Sequence, residues 1–204
     1  MQKEKRERLD QYVANYQRAH FGARYVGKSL AELALPDNIS GKLQSWMNKP
    51  KNILVFTSGP GFGKTHFCSA LTEWMHLNFD TFRYHKEEML LKALRMVISE
   101  DHGDWAQALK YKTDDELVIL DDVGSWFNAE RVHEKDNNWK IEVFFSFLDD
   151  RYNSMKPTII TSNLNKAGFL KAYSERVVSR LFAAENTIIE IPHQEYIDFR
   201  ARGL

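Results

Sequence analysis

Residues 57–66 read TSGPGFGKTH and place three glycines in the space of five residues. A glycine-rich loop is entropically costly to order, so its presence in a folded protein needs a reason. The run before it, NILVFTS (52–58), has the length and composition of a strand buried on both faces, and residues 64–78 predict a helix. The loop therefore joins a buried strand to a helix.

Glycines at alternate positions allow this loop to turn peptide N–H groups inward around an anion, and the helix that follows adds its own unpaired N–H groups. Lys64 would reach the β- and γ-phosphates of a nucleotide, and the Thr65 hydroxyl would bind magnesium. This is the P-loop arrangement, although Ser58 stands where the strict pattern has glycine. An ordinary glycine turn is the alternative. We predict nucleotide contacts at Gly59, Pro60, Gly61, Phe62, Gly63, Lys64, Thr65 and His66.

A second polar site follows the apolar run in LVILDDVG (117–124). A P-loop needs an acidic residue that supports magnesium at the end of a neighbouring strand. We predict that Asp121 and Thr65 hold Mg²⁺ and that Asp122 orients or activates the attacking water. A pair of aspartates that caps a turn is the alternative. Aspartate reaches less far than the glutamate that many ATPases use in the second place, so slow basal hydrolysis is expected.

Two later segments add candidate catalytic residues. Asn163 follows the buried run PTIITSN (157–163), where its amide could contact the γ-phosphate or the attacking water. Arg176 and Arg180 lie four residues apart in SERVVSRLF (174–182) and so share one helix face. We interpret Arg180 as an arginine finger for ATP on a neighbouring subunit. A turn asparagine and solvated surface arginines are the alternatives.

Strands and helices alternate along the whole chain. Strands are predicted at 52–58, 81–86, 116–122, 157–163 and 186–192, and helices at 3–19, 38–48, 64–78, 87–99, 139–155 and 171–182. This order predicts an α/β fold with a five-stranded parallel sheet between helices, and ligands bind such sheets at the carboxyl ends of the strands.

Composition narrows the possible functions of the 204 residues. Lys+Arg and Asp+Glu both number 28, which excludes a uniformly basic surface for nucleic acid. The one cysteine excludes an intrachain disulfide and a cysteine zinc cluster. No apolar run reaches membrane-spanning length, and the N-terminus lacks the apolar segment of a signal peptide. We therefore expect a cytoplasmic protein.

With these landmarks in order, the chain resembles an AAA+ ATPase of the DnaC-type helicase loader and IstB-like family. The stretch FSFLDDRYNSMKPTIITSNL (145–164) carries the most specific match, and LVILDDVG, GFGKTHF, ERVVSRLF and FGARYVGKSL (21–30) agree with it. The resemblance implies Walker A roles for Lys64 and Thr65 and Walker B roles for Asp121 and Asp122. It also implies that Asn163 is sensor I, that Arg180 is the finger and that Arg176 is a second trans-acting or sensor arginine.

The resemblance also predicts a domain plan, which departs from that of bacterial loaders. Residues 1–19 form a short charged helix, 20–50 a linker and lead-in helix, and 51–204 the AAA+ core. Only about 20 residues precede the linker, as expected of a short phage-type member. Only 22 residues follow Phe182, too few for a helical lid. The segment 125–139 looks long, and we favour a surface loop whose Trp126 and Trp139 pack on the core over a partner-binding loop.

The resemblance implies a replication factor that loads or remodels a DnaB-type helicase on single-stranded DNA. It implies ATP and Mg²⁺ as cofactors and an ATP-dependent homo-oligomer, and no membrane partner is expected. An IstB-like transposition helper, a nucleotide-gated inhibitor of a helicase or loader, and a small-molecule P-loop kinase remain alternatives. The candidate DNA contacts are the basic run KEKRER (3–8) and Lys86, Lys92, Arg95, Trp105, Lys110, Tyr111 and Lys112.

Overall fold

A computed structural model of the chain describes residues 2–33, 35–101, 104–127 and 135–191. Its strands are β1 (Ile53–Thr57), β2 (Phe82–Lys86), β3 (Leu117–Val123), β4 (Thr158–Ser162) and β5 (Thr187–Glu190). They form a five-stranded sheet in the order β2-β3-β4-β1-β5, in which every pairing is parallel. The predicted α/β class with a five-stranded parallel sheet is confirmed. The prediction that no helical lid follows concerns residues 192–204, which lie outside the described ranges.

Nine α-helices lie in the described ranges: α1 (Gln2–His20), α2 (Asp37–Asn48), α3 (Lys64–Ala70), α4 (Thr72–Asn78), α5 (Glu87–Asp101), α6 (Trp105–Thr113), α7 (Lys135–Asn153), α8 (Lys166–Ala172) and α9 (Glu175–Leu181). The predicted helix 64–78 is divided at Leu71. The prediction of one helix over 171–182 is wrong, because Tyr173 and Ser174 separate α8 from α9. Helix α6 was not predicted.

The two faces of the sheet carry separate cores because successive strand side chains point in opposite directions. Ile53 and Val55 of β1 pack on one face with apolar residues of α5 to α9. Leu54 and Phe56 pack on the other face with apolar residues of α2, α3 and α4. The central strands β1 and β4 are buried along their whole length. Polar groups that bind a ligand must therefore lie at the strand ends.

Helix α1 packs against α4 rather than standing apart from the core. Arg6 pairs with Glu73 at 2.6 Å, and the Tyr12 ring lies 4.1 Å from that of His76. Gln17 is fully buried and hydrogen-bonds through both its amide nitrogen and its amide oxygen. Part of the basic run 3–8 is thus occupied by an internal ion pair, while the domain boundaries at 19/20 and 50/51 stay predictions.

A buried arginine joins the starts of the two strands at the centre of the predicted site. Arg151 of α7 is fully buried. Its guanidinium donates five hydrogen bonds, to the carbonyl oxygens of Thr113 (3.0 Å), Asp115 (2.6 Å), Glu116 (3.0 Å) and Pro157 and to Oγ1 of Thr158 (2.9 Å). Burial lowers the pKa of Arg151 to about 10. The beginnings of β3 and β4 are therefore fixed to α7 and to each other.

The aromatic residues of the 125–139 segment that the structure describes pack on the core. Trp126, Phe127 and Trp139 are partly buried against the core cluster on the α5-to-α9 face. Lys140 lies 4.9 Å from the Trp126 ring, and Arg95 lies 5.0 Å from that of Trp139. This packing agrees with the favoured surface-loop interpretation; residues 128–134 lie outside the described ranges. None of the helices that the structure describes combines the length and apolar character needed to cross a membrane.

Candidate functional site

The glycine loop lies between β1 and α3, at the carboxyl end of the sheet. Gly61 (φ 82°) and Gly63 (φ 86°) adopt left-handed backbone conformations that other residues enter only with strain. Gly63 occupies the N-cap position of α3. These conformations are the ones that a loop needs in order to direct successive peptide N–H groups toward an anion. Pro60 is exposed, and Phe62 packs partly buried on the core.

Lys64 joins the loop to the end of β4. Its side chain is buried, and its ammonium group donates to the carbonyl oxygens of Gly59 (2.9 Å) and Ser58 (3.1 Å). It also donates to Oδ1 of Asn163 at 2.6 Å. The structure therefore brings two of the predicted site residues, 99 positions apart in the chain, into direct contact.

Asp121 is the centre of a buried hydrogen-bond network at the end of β3 and is fully buried. Its carboxylate accepts hydrogen bonds from Thr65 Oγ1 (3.2 Å), Tyr84 Oη (2.7 Å) and Thr161 Oγ1. Burial, and then the negative charge of Asp121, raise the pKa of Tyr84 and that of the Cys68 thiol. Both side chains therefore stay protonated and leave the carboxylate as the acceptor. A carboxylate beside a threonine hydroxyl is the kind of oxygen pair that suits Mg²⁺.

Asp122 has an unusual backbone conformation, with φ 61° in the left-handed region. The pairing of β3 with β4 shifts register between Leu120 and Val123, so both aspartates lie in an irregular stretch of the strand. The Asp122 N–H donates to Thr161 Oγ1 at 3.0 Å, and its Oδ1 accepts from Asn163 Nδ2 at 3.2 Å. Asn163 thus bridges Asp122 and Lys64, and hydrogen bonds hold both the oxygen and the nitrogen of its amide group.

The predicted arginines contact α7 of their own chain. Arg180 Nε donates to Asp149 Oδ1 at 2.5 Å, and Nη1 donates to the carbonyl oxygen of Arg176 at 3.2 Å. Both guanidinium groups lie over the Phe145 ring, at 4.4 Å for Arg176 and 4.8 Å for Arg180. No contact of the described residues joins either arginine to the loop. This placement is what action on a neighbouring subunit requires, and that role stays a prediction.

His66 projects from the first turn of α3. Its Nε2 atom is buried and has no hydrogen-bond partner among the described residues. Burial lowers the pKa of His66, and the positive charge of Lys28 adds to this effect. The imidazole is therefore neutral near pH 7. Its predicted contact with nucleotide stays a prediction.

The candidate DNA contacts lie on or beside α5 and α6: Lys86, Lys92, Arg95, Trp105, Lys110, Tyr111 and Lys112. Tyr111 is 79% exposed, whereas Trp105 packs partly buried against the core. Arg95 covers the Trp139 ring, and Lys92 forms an ion pair within α5 at 2.6 Å. Tyr111 is therefore the aromatic residue of this set that is available for stacking.

The site also includes residues that the sequence patterns do not single out. Tyr84 contacts the Asp121 carboxylate directly, and Asp149 and Phe145 hold the arginines. Glu87 lies behind Asp122 and is almost fully buried. Tyr84 lies in an edge strand and Glu87 begins a helix. Such positions are common for surface tyrosines and acidic residues, so no sequence motif distinguishes these two. Their roles follow only from the contacts.

A family model of IstB-like ATP-binding proteins matches residues 34–180. The chain belongs to this family. The matched range includes the glycine loop, Asp121, Asp122, Asn163 and both arginines of α9. It confirms the resemblance seen in the sequence and makes the chain a member of a family of ATP-binding proteins.

Individual relatives of this IstB-like chain are replication proteins. The replicative helicase loader DnaC of Buchnera aphidicola subsp. Acyrthosiphon pisum (strain APS) is 23% identical over 167 residues, which are 82% of this chain and 61% of that protein. The chain thus spans less than two thirds of the length of the curated relatives that it matches.

Solved structures show that the fold is shared with replication proteins. A DnaC helicase loader structure has a TM-score of 0.65 at 23% identity, covering 83% of this chain and 99% of that chain. A DnaI structure has a TM-score of 0.64 at 19% identity, covering 83% and 93%. The initiator DnaA bound to AMPPCP and single-stranded DNA has a TM-score of 0.62 at 18% identity, covering 81% and 50%. The predicted P-loop AAA+ fold is thus confirmed.

Proposed function

We propose that this IstB-like chain is an ATPase that loads or remodels a replicative, DnaB-type helicase on single-stranded DNA. The observation that carries the proposal is the convergence of Lys64, Thr65, Asp121, Asp122 and Asn163 at the carboxyl ends of three adjacent strands, β1, β3 and β4. In parallel sheets this edge is where ligands bind. Similarity to helicase loaders supports the choice of partner.

The residues at this edge fit a nucleotide with magnesium. Lys64 supplies a cation within a loop that left-handed glycines shape for phosphate, and Thr65 with Asp121 supplies oxygen ligands suited to Mg²⁺. Lys64 would hold the β- and γ-phosphates. The acceptors of its ammonium group include carbonyl, hydroxyl and amide oxygens, which phosphate oxygens can replace.

Bound Mg²⁺–ATP supplies the phosphoanhydride bond that is hydrolysed. Asp122 is partly exposed next to the buried Asp121, so its carboxylate would orient the attacking water or accept its proton. Asn163 holds Oδ1 of Asp122 through its amide nitrogen and would add a hydrogen bond at the γ-phosphate. The short reach of Asp122 leads us to propose slow basal hydrolysis.

The first experiment measures ATP affinity and hydrolysis for wild type, Lys64→Ala and Lys51→Ala. Lys51 is exposed and lies just before β1, so its replacement removes the same charge outside the site. We expect Lys64→Ala to abolish both nucleotide binding and turnover while Lys51→Ala retains them. Equal ATP affinity in both variants would remove the basis of the proposal. Phosphate transfer to a small acceptor instead of water would favour the kinase alternative.

The trans role of Arg180 can be tested by mixing two inactive variants. Arg180→Ala binds ATP but lacks the finger, and Lys64→Ala retains the finger but lacks the nucleotide. A mixture should recover hydrolysis that neither variant shows alone, because one subunit completes the site of its neighbour. Lys171→Ala, which removes an exposed cation from α8, is the matched control and should behave as wild type. If the mixture stays inactive, Arg180 does not act in trans.

Binding of single-stranded DNA is proposed at α5 and α6, where Tyr111 offers an exposed ring near Lys110 and Lys112. Base stacking on one aromatic residue contributes about 1–3 kcal/mol, so Tyr111→Ala should weaken binding by roughly 5- to 150-fold. Fluorescence anisotropy with a labelled oligonucleotide and Mg²⁺–ATP measures this, with Tyr12→Ala on α1 as the control. Equal affinity for both variants would place the DNA elsewhere.

The partner is tested by capture from the source cell with tagged protein and Mg²⁺–ATP, using Lys64→Ala as the control. Recovery of the replicative helicase supports the proposal, and an unwinding assay then distinguishes loading from inhibition. Recovery of a transposase would instead favour the IstB-like transposition helper, which the family match keeps as the second candidate.

A further inference from the structure

A buried acidic side chain lies directly behind the candidate catalytic turn. Glu87 is the first residue of α5 and follows β2 without a gap. It is only 2% exposed. Its carboxylate accepts a hydrogen bond from the Gly124 N–H at 2.8 Å and another from Tyr173 Oη at 2.8 Å. A carboxylate in the core is costly unless its partners are specific, and both partners belong to segments that carry candidate catalytic residues.

The turn that Glu87 contacts is strained and is fixed from both sides. Asp122 (φ 61°) and Gly124 (φ 77°) both lie in the left-handed region within three residues. On the β4 side, Thr161 Oγ1 accepts from the Asp122 N–H at 3.0 Å and Ser162 Oγ donates to the Val123 carbonyl oxygen at 2.6 Å. Strand β3 lies between β4 and β2 in the sheet. Glu87 directly follows β2 and therefore contacts the turn from the side opposite to β4.

The second partner of Glu87 connects the same turn to the arginine-bearing helix. Tyr173 is buried in the break between α8 and α9, and it immediately precedes Ser174, the N-cap of α9. Helix α9 carries Arg176 and Arg180. One carboxylate therefore holds both the turn with Asp122 and the segment at which the arginine helix begins.

We propose that Glu87 is a positioning residue that sets the conformation of the 122–124 turn, and hence the direction of the Asp122 carboxylate, and that fixes the start of α9 through Tyr173. This inference rests on the proposed ATPase function for its catalytic consequence. Its structural part concerns the Gly124 N–H and is testable without nucleotide.

The structural part is tested by NMR on protein labelled with ¹³C-carbonyl valine and ¹⁵N-glycine. The chain contains two Val–Gly pairs, 26–27 and 123–124, so the experiment selects the amides of Gly27 and Gly124. The Gly27 amide donates to Gln17 Oε1 at 2.7 Å and not to Glu87, so it serves as an internal reference. Glu87→Ala should shift the Gly124 amide proton upfield and leave that of Gly27 unchanged. An unchanged Gly124 amide proton in Glu87→Ala overturns the proposal.

The catalytic part compares kcat and nucleotide affinity in four variants. Misplacement of a catalytic group by about 1 Å can cost about 100-fold in rate, so we expect Glu87→Ala to lose on the order of 10- to 100-fold in kcat with ATP affinity unchanged. Glu87→Gln keeps an acceptor for Gly124 and should restore most of the rate. Tyr173→Phe keeps the ring, and its kcat should fall between those of Glu87→Ala and Glu87→Gln. Glu88→Ala, an exposed neighbour on α5, is the matched control and should match wild type.

The outcomes separate this inference from the proposed function. If wild type hydrolyses ATP and Glu87→Ala and Tyr173→Phe both equal Glu88→Ala in kcat, the positioning role is wrong and the ATPase function stands. If wild type and Lys64→Ala are equally inactive, the ATPase function is wrong, and the Gly124 amide alone decides whether Glu87 positions the turn. Parallel loss of ATP affinity and kcat in Glu87→Gln would indicate a structural role and overturn the proposal.

Discussion

Replacement of Arg151 by methionine should weaken the folded protein strongly, although this arginine has no predicted catalytic role. Methionine fills much of the same volume but removes the five hydrogen bonds that the fully buried guanidinium donates. Two of the acceptors, Thr113 and Thr158, are themselves buried. Asp115 is partly exposed and Glu116 is exposed, so water can replace the arginine there.

The magnitude follows from the groups that lose their donor. Each buried acceptor that loses its donor costs about 1–3 kcal/mol, which gives up to about 6 kcal/mol for Thr113 and Thr158 together and about 2 kcal/mol at the low end, where Thr158 Oγ1 keeps its hydrogen bond to the Lys156 carbonyl oxygen. Methionine also removes the cost of burying the guanidinium, and the lowering of the Arg151 pKa to about 10 by burial puts that cost at about 3 kcal/mol. The charged hydrogen bonds lost from the same group offset that relief. We therefore expect a net loss near the stranded-acceptor value.

Equilibrium unfolding in urea, followed by far-ultraviolet circular dichroism, measures the effect. With a slope of about 2 kcal/mol/M, the loss lowers the midpoint by about 1–3 M. Lys156→Met is the matched control, since Lys156 forms an ion pair with Asp114 (2.6 Å) in the same region but at the surface. Arg151→Lys should fall between the two, because one ammonium group cannot reach all the acceptors. A midpoint for Arg151→Met equal to that of Lys156→Met would refute this reasoning.

Three further substitutions probe the surroundings of the site. Burial raises the pKa of Glu87 from 4.5 to about 7, so the free energy of unfolding falls as pH rises through this range. Glu87→Gln should remove about 3 kcal/mol of that pH dependence. Equal slopes of unfolding free energy against pH in the two proteins would contradict this. Gly124→Ala places a Cβ 2.5 Å from Leu164 Cδ1 on a residue with φ 77° and should lower the free energy of unfolding in urea by about 1–2 kcal/mol. An unchanged urea midpoint would show that the turn relaxes freely. Tyr84→Phe removes one of the two hydrogen bonds that Asp121 Oδ2 accepts from Tyr84 and Thr65, and it should change ATP affinity with Mg²⁺ but not with EDTA. An equal change in ATP affinity under both conditions would show that the effect does not act through the metal.

The sheet and the loop were predictable because each depends on local composition. Continuous apolar runs mark strands buried on both faces, and the loop that follows the first run needs glycine for its left-handed positions. The same runs also fixed where Asp121 and Asn163 would lie, because parallel strands end at one edge of the sheet. What the pattern predicts well is therefore the position of a residue along its own element.

The remaining features depend on contacts between elements that are distant in the chain. Burial of Glu87 and Arg151 was not predictable, because charged residues on a helix are usually solvated and only the neighbouring carbonyl and N–H groups reverse that preference. The helix break at Tyr173 was missed because an uninterrupted helical pattern runs across it. Helix α6 did carry a local signal, since Asp104 caps it by accepting from the Ala106 N–H at 2.8 Å.

The contacts of Arg180 also explain how a residue proposed to act on a neighbour can be ordered in its own subunit. Its ion pair with Asp149 joins side chains that are 28% and 34% exposed, and such a pair contributes about 0.2–1 kcal/mol. The Phe145 ring adds about 0.5–1 kcal/mol. An arginine finger contributes about 10³- to 10⁵-fold in rate, or roughly 4–7 kcal/mol. Release from Asp149 and Phe145 therefore costs far less than the transition-state stabilisation that a finger supplies to ATP on a neighbouring subunit. The same contacts restrict the orientation of the Arg180 guanidinium in its own subunit.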